Sequence, residues 1–529
     1  MKKIISLILA VVMLLTVATV AVAAIDYRQP FDRGSFGVNE YRIPALYTLN
    51  NGSVMAIADM RYDHGSDSPN NIDILAAYSK NGYTNWTYQV LNHFDDYADG
   101  ATAADSASFI DSAVVQSKQT DRIFVVTDAQ PAGCGYLKCK QGTGFVTIDG
   151  KNYMLLTSGD PTANLKTFEY YIGEYDEFTG LAPVCLLKGN AETEYSVDRE
   201  LDIYKDGEPL TMYQKGNNGI VVTVNQNVFY SDAVLKCFST TYLWMRYSDD
   251  NGKTWSAPVN LTSQVKTPNE FFLGICPGRG FVTTLEDGTE RIIFMVYDNG
   301  NFGWNEFENV STIYSDDNGV TWNRGAETTP SVIAGKTSES QIIDLGNGVL
   351  RMFARNKGNH VAYADSYDNG VSWTDFKSDA NLTAMGNCMV SFINTDRTIN
   401  GKKVVLGSFA SNPDTRADGV IKVGLIDGTK PINWITTYRL TYNSFFAYSC
   451  MTQLADGNFS ILYEDEPSHI QYLVFNIDDN GYIYEINGNN PVTDEDINNA
   501  VEKELTFWEK FVKFFEDLFF AIGKFFGIA

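Results

Sequence analysis

Three copies of one eight-residue pattern, Ser-x-Asp-x-Gly-x-x-Trp, restrict the fold more than any other feature of the chain. They are Ser248-Asp249-Asp250-Asn251-Gly252-Lys253-Thr254-Trp255, Ser315-Asp316-Asp317-Asn318-Gly319-Val320-Thr321-Trp322 and Ser366-Tyr367-Asp368-Asn369-Gly370-Val371-Ser372-Trp373. A degenerate fourth runs from Ser79 to Trp86, with its glycine shifted to Gly82. Each complete copy follows a short β-type run such as Tyr242-Leu243-Trp244-Met245-Arg246-Tyr247. Each supplies the Asp, Asn and Gly of a tight turn and a Trp that packs on the next strand. The implied unit is a hairpin. The complete copies begin 67 and 51 residues apart, a period that suits propeller blades, each burying its faces against its neighbours. Such boxes specify architecture and not chemistry.

The first complete box begins 169 residues after the degenerate one, far more than one blade needs. Short aromatic and β-branched runs there, such as Phe145-Val146-Thr147-Ile148 and Gly219-Ile220-Val221-Val222-Thr223-Val224, predict a small β domain over 131–240. It divides the propeller into 25–130 and 241–487. At the start of the chain Lys2 and Lys3, an apolar run over 4–20 and Ala21-Val22-Ala23-Ala24 read as a secretory signal peptide, 1–24. The run is short for a membrane anchor, so the mature chain is expected to be secreted or held at the cell surface.

After Pro491 the pattern becomes helical. Thr493 stands as N-cap before Asp494-Glu495-Asp496, and Phe507, Phe511, Phe514, Phe515, Leu518, Ile522, Phe525 and Phe526 fall on one stripe. Glu509, Lys510, Lys513, Glu516, Asp517 and Lys524 interrupt it, which argues against a spanning helix. An amphipathic helix over 492–529 is predicted, either docked on the protein's own body or a partner, or lying in a membrane or envelope interface.

A formal charge of −25 makes the average surface repel nucleic acid and anionic membrane, and no nucleic-acid partner is expected. An anionic substrate would have to be met by a local cluster of arginines. The seven cysteines are scattered, although Cys134 and Cys139 are near enough to close a small loop. With no CxxC pair and four His, neither a metal site nor a cofactor is expected.

Tyr41-Arg42-Ile43-Pro44 is followed 19 residues later by Arg61 and then by Asp63-His64-Gly65-Ser66-Asp67. Farther on come Ser338-Glu339-Ser340-Gln341, the strand Leu350-Arg351-Met352-Phe353-Ala354-Arg355, Ser411-Asn412-Pro413-Asp414-Thr415-Arg416, Phe446-Ala447-Tyr448-Ser449-Cys450 and Leu462-Tyr463-Glu464. In this order, with the boxes between them, these motifs resemble the bacterial exo-sialidase (neuraminidase) family, in its larger form with a β domain inserted in the catalytic propeller. The resemblance extends to about residue 485. It implies an all-β fold with six blades and a substrate bearing terminal α-linked sialic acid on glycoproteins, glycolipids or oligosaccharides.

It also implies roles. Sialic acid carries a carboxylate on its anomeric carbon, which planar, permanently charged donors suit, and Arg42, Arg355 and Arg416 match the family's arginine cluster. That carboxylate would repel an Asp or Glu nucleophile, whereas a neutral Tyr hydroxyl avoids the repulsion. Tyr448 matches the nucleophile, Glu339 the base that takes its proton, and Asp67 the general acid and base. Asp63 and Asp73 compete with Asp67. Arg61 matches an arginine that reaches a ring hydroxyl, and Asp111, in Phe109-Ile110-Asp111-Ser112, an aspartate lining the pocket. Retaining hydrolysis is the first expectation. The rivals are an intramolecular trans-sialidase that releases an anhydro sugar with the same residues, a catalytically dead glycan-binding propeller, and an adhesive propeller with no sugar site.

Overall fold

The computed structural model describes residues 29–486 apart from 39, 63, 95–105, 216–220, 300–307, 327, 329–335 and 429–430. The expected signal peptide, the expected C-terminal helix and the competing Asp63 lie outside the described residues. Among those described, the helical pieces are one four-residue turn, Thr262–Val265, and two three-residue 3-10 turns, and the architecture is all-β.

Consecutive strands pair antiparallel in four-stranded sets. One set runs Glu40–Thr48, Val54–Arg61, Ile72–Ser79 and Thr87–Asn92. The next holds Ser108–Gln116, Ile123–Gln130, Tyr242–Ser248 and Val259–Asn260. A third contains Leu273–Ile275, Glu290–Asp298, Asn309–Ser315 and Asn323–Arg324. Three more run from Thr337–Gly346 to Lys377–Thr383, from Ser391–Ile399 to Asn433–Arg439, and from Ser449–Gln453 to Ile483–Glu485. The ends of the series meet. Gln29 exchanges hydrogen bonds with Gln471 and Tyr472, at 3.1 and 2.8 Å, and the backbone N–H of Tyr41 donates to the carbonyl of Ser468 at 3.2 Å. The arrangement is propeller-like and closes on itself, which leaves few open sheet edges.

The repeated boxes staple neighbouring sets. In the second copy the Ser315 hydroxyl donates to Asp317 at 2.8 Å and accepts the N–H of Gly319 at 2.8 Å. Asp317 then accepts from the backbone and hydroxyl of Thr321, at 2.9 and 2.6 Å. The Asn-Gly pair inside the box is required by geometry: Asn318 and Gly319 take φ of 59° and 84°, where side chains are strained and Gly is not. A Cβ on Gly319 would also fall 2.3 Å from the ring of Phe124. Trp322 then packs between Phe124 of one set and Phe294 of the next, with ring centroids at 6.3 and 5.8 Å.

The expected insertion falls between two strands that are themselves paired, since Tyr242 to Ser248 runs in register with Ala129 to Ile123. Most of its strands form a separate eight-stranded sheet, with Thr211–Lys215 and Val221–Asn225 as a further hairpin. It is not packed apart from the rest. Ile172, Val184 and Val197 of the insertion share one buried cluster with Phe109 and Trp244 of the propeller-like body.

Trp322, only 3% exposed, is the side chain through which one box joins two sets. Trp322→Ala is expected to cost about 3–5 kcal/mol in urea unfolding, the usual loss for a large core aromatic. A loss below about 1 kcal/mol would mean that the box is not a staple.

Candidate active site

Three β-bulges aim the site. At Tyr41-Arg42-Ile43-Pro44 the ladder loses a donor because Pro44 has no N–H, and pairing with Val54–Arg61 slips between Arg42 and Ala45. Ile43 is forced to φ 58°, an unfavourable value for a β-branched residue. Its N–H turns away from the ladder and donates to Glu464 Oε1 at 3.1 Å. The same carboxylate accepts Arg42 Nε at 3.1 Å and Nη2 at 3.3 Å. Glu464 is 0% exposed, so one buried acid fixes both the bulge and the guanidinium. Burial opposes the charge on Arg42, but Glu464 and Asp67 outweigh it and raise its pKa.

The second bulge, between Ile110 and Ser112, isolates Asp111 at φ 57°. The third, between Thr337 and Ser340, sets Glu339 opposite the end of Val349–Asn356, which carries Arg355. Bulges of this kind re-aim a side chain that a regular strand would leave in the pleat.

Glu339 and Tyr448 meet at the centre. The Tyr448 hydroxyl donates to Glu339 Oε1 at 2.6 Å and accepts from Arg355 Nη1 at 3.0 Å, while Arg355 Nη1 also donates to Glu339 Oε2 at 2.8 Å. Burial, then Glu339, push the phenol well above its ordinary pKa, against the pull of Arg355, Arg416 and Arg42. The group is a neutral hydroxyl with its proton already aimed at a carboxylate. Asn387 holds the far edge of Arg355 through Oδ1, at 3.0 and 2.7 Å, and its carbonyl accepts Arg416 Nη2 at 3.3 Å. The guanidinium carbons of Arg42 and Arg416 both stand 5.4 Å from the centre of the Tyr448 ring.

Asp67 is at the mouth, with 69% of its side chain exposed. It lies 2.8 Å from Arg61 Nη1 and 3.5 Å from Arg42 Nη1. Its concave setting raises the carboxyl pKa, but Arg61 first and then Arg42 and Arg355 overcome this and hold it below the ordinary value. The competitor Asp73 is buried and engaged elsewhere, accepting from Tyr62 at 3.0 Å and lying 2.9 Å from His93. Arg61 departs from the sequence expectation. Its side chain is 0% exposed and braces Asp67 from behind, with Asp59 on its other edge at 2.8 Å, so it offers no surface to a ligand.

A cavity of about 180 Å³ opens between these groups, lined by Asp67, Asp111, Glu339, Arg355 and Tyr448 and walled by aromatic residues including Tyr136. Burial, then Asp59 and Asp128, push the Asp111 carboxyl well above its ordinary range. The structure therefore brings together all eight residues expected from the sequence, with Arg61 behind the surface and Arg42 and Arg416 flanking the nucleophile candidate. Sequence reasoning quoted Glu464 within a motif but gave it no role, and it missed Asp59 and Asn387. Glu464 left one signal, its place in the motif Leu462-Tyr463-Glu464 on the strand Phe459–Glu466, where it is buried between partly exposed neighbours. Among the described residues no group of three or more His, Cys, Asp or Glu converges as metal ligands would.

Comparison with known proteins places this geometry in context. The family profile of the BNR repeat-like domain matches residues 189–461. The chain is 31% identical over 462 residues to an anhydrosialidase of Macrobdella decora, covering 80% of this chain and 58% of that protein. It is 28% identical over 476 residues to sialidase B of Streptococcus pneumoniae, covering 80% and 61%. The chain thus spans less than two thirds of the length of either relative. Among solved structures, the intramolecular trans-sialidase of Ruminococcus gnavus in complex with oseltamivir carboxylate superposes with a TM-score of 0.76 at 30% identity, over 86% of this chain and 98% of that one.

Removing Glu464 leaves the Ile43 N–H without its acceptor and Arg42 with only the exposed Asp67, at 3.5 Å. Glu464→Ala is expected to destabilise the protein by about 3–5 kcal/mol in urea unfolding, as for other broken buried ion pairs. Unchanged stability would show that the bulge is held by something else.

Proposed function

Because the chain belongs to the bacterial exo-sialidase family, we propose that it removes terminal α-linked sialic acid from glycoproteins, glycolipids or oligosaccharides with retention of configuration. The observation that carries this reading is the Tyr448 hydroxyl 2.6 Å from Glu339, with Arg42 and Arg416 equidistant from its ring. Arg42, Arg355 and Arg416 hold the sugar's carboxylate. Asp67 protonates the glycosidic oxygen as the anomeric C–O bond breaks. Tyr448 attacks the anomeric carbon and passes its proton to Glu339, forming a sialyl-tyrosine. Asp67, now ionised, takes a proton from water, which displaces Tyr448; the phenolate recovers its proton from Glu339. Two inversions give retention. Arg61 positions Asp67, and Asp111 donates to a polar substituent of the sugar.

A second reading is favoured by likeness to a protein named anhydrosialidase and to a trans-sialidase described as intramolecular. In it a hydroxyl of the bound sugar replaces water in the second step, and an anhydro sugar leaves. The first step and its residues are common to both readings.

The architecture proposed with this function is a six-bladed propeller, 25–130 and 241–487, interrupted by a β domain, 131–240. Six successive four-stranded sets and the separate sheet within the insertion support it. We further propose export by the leader 1–24 and interfacial attachment by the helix 492–529. Truncation after Asn490 is expected to release the protein from cells, and unchanged retention would reject attachment.

Tyr448→Phe is expected to lower kcat/KM on a fluorogenic sialoside by more than about 10²-fold, through loss of the covalent step. NMR of the sugar released by the unaltered protein separates free from anhydro sialic acid. Full turnover by the Phe variant would end the mechanism.

The pH behaviour follows from charge. In the empty site Arg61 and Arg42 hold the Asp67 carboxyl low. A bound sugar carboxylate adds negative charge and engages Arg42, so the pKa of Asp67 rises on binding. The limb through which activity falls as Asp67 deprotonates should therefore lie at higher pH in kcat, which reports the complex, than in kcat/KM, which reports the free enzyme. Coincident limbs would contradict this.

A further inference from the structure

Cys134-Gly135-Tyr136-Leu137-Lys138-Cys139 is a short loop beside the cavity that the proposed chemistry does not use. Its two sulfurs are 3.3 Å apart and both are buried. Three contacts tie the loop to the site. The Tyr136 ring lines the cavity and its hydroxyl donates to Glu308 at 2.7 Å. Gly135 lies so close to the backbone carbonyl of Ser68, the residue after Asp67, that an added Cβ would come within 2.2 Å of that oxygen. Both cysteines pack with Phe272, against which the Tyr136 ring rests at 4.9 Å. One loop thus supplies part of the pocket wall and supports the segment that carries Asp67.

We infer that Cys134 and Cys139 are a disulfide-forming pair, oxidised by exchange with a small-molecule disulfide, and that the bond pins Tyr136 in the sugar pocket. The sulfurs need to approach by only roughly 1.3 Å to reach the ordinary bond length of about 2.0 Å. Their surroundings equip one of them as a nucleophile. Burial pushes the Cys139 thiol up, but the hydrogen bond from Cys134, the Lys266 ammonium and Thr241 bring it down to about 7. Cys139 Sγ is 3.1 Å from Thr241 Oγ1, and Lys266 is itself buried, donating to Thr240 Oγ1 and to the Phe271 carbonyl. Leu137 and Lys138 face solvent at the loop tip.

The step balances. The Cys139 thiolate attacks one sulfur of the small disulfide and expels a thiolate. Cys134 then attacks the Cys139 sulfur of the mixed disulfide and expels the second. Two S–H bonds are lost and one S–S bond forms, and the two electrons and two protons leave on two small thiols. Pinning the loop removes conformational freedom that substrate binding would otherwise have to remove, so oxidation should tighten binding and leave the chemical step alone.

The test compares the full chain equilibrated in dithiothreitol with the full chain equilibrated in glutathione disulfide. Alkylation in denaturant followed by peptide mass mapping should find Cys134 and Cys139 blocked only in the oxidised sample, with the other five cysteines alkylated in both. The affinity readout rests on the sialidase reading: KM for a fluorogenic sialoside should be about 3–10-fold lower after oxidation, with kcat within about twofold. The doubly substituted Cys134→Ser, Cys139→Ser protein should keep the reduced KM in both buffers. Trypsin cleavage after the exposed Lys138 should slow on oxidation, a measure of pinning that needs no turnover. Alkylation of both cysteines after oxidation, an unchanged KM in an active protein, or the same response in the double variant would overturn the inference. Absence of turnover in every sample would instead reject the sialidase reading, and the mapping and trypsin results would still decide the disulfide.

Discussion

The site depends on one shared proton, that of the Tyr448 hydroxyl, which lies 2.6 Å from a carboxylate and 3.0 Å from a guanidinium in a buried setting. A phenol in water gives up its proton only near pH 10, and burial here makes loss to solvent still harder. Transfer to Glu339 avoids solvent. In the proposed mechanism the arginines around the ring favour the phenolate when its proton passes to Glu339 and again when the sugar leaves the oxygen, so the same charges serve attack and departure.

Concentrating guanidinium groups in one pocket is costly unless each is held, and the protein holds each one differently. Arg42 has buried Glu464, Arg355 has Glu339 and Asn387, and Arg416 has the Asn387 carbonyl. The longest of these connections joins Arg42 and Glu464, which are separated by 422 residues. Only a sheet arrangement that closes on itself brings both to one mouth, and the contacts of Gln29 and Tyr41 with the last strands achieve that closure. In a chain of net charge −25, the guanidinium groups of Arg42, Arg355 and Arg416 around one ring are the local donors that an anionic ligand requires.

The parts legible in the sequence were those with local causes. The boxes could be read because Asn318-Gly319 and its counterparts must adopt positive φ, and the residues that allow this are few. The arginines and Tyr448 were recognised through ordered motifs. Spacing left Asp67 and Asp73 unresolved; the structure separates them, since Asp73 is tied to Tyr62 and His93 while Asp67 lines the cavity. The roles of Glu464 and Asn387 were not legible because each acts on a side chain that only the fold brings near; Asp59 stands two residues before Arg61 on one strand, and its burial was not legible. The direction of Arg61 was missed for the same reason: nothing in its neighbours along the chain tells whether its guanidinium faces the cavity or Asp59.

The central claim is that the Tyr448 oxygen becomes bonded to the sugar. A fluorinated sialosyl fluoride, which forms the glycosyl-enzyme and slows its breakdown, tests this directly when the treated protein is digested and its peptides are weighed. The account predicts one sialosyl group on the peptide containing Tyr448 and none on the Tyr448→Phe variant. A label on Glu339 or Asp67, or persistent turnover with no labelled peptide, would contradict it.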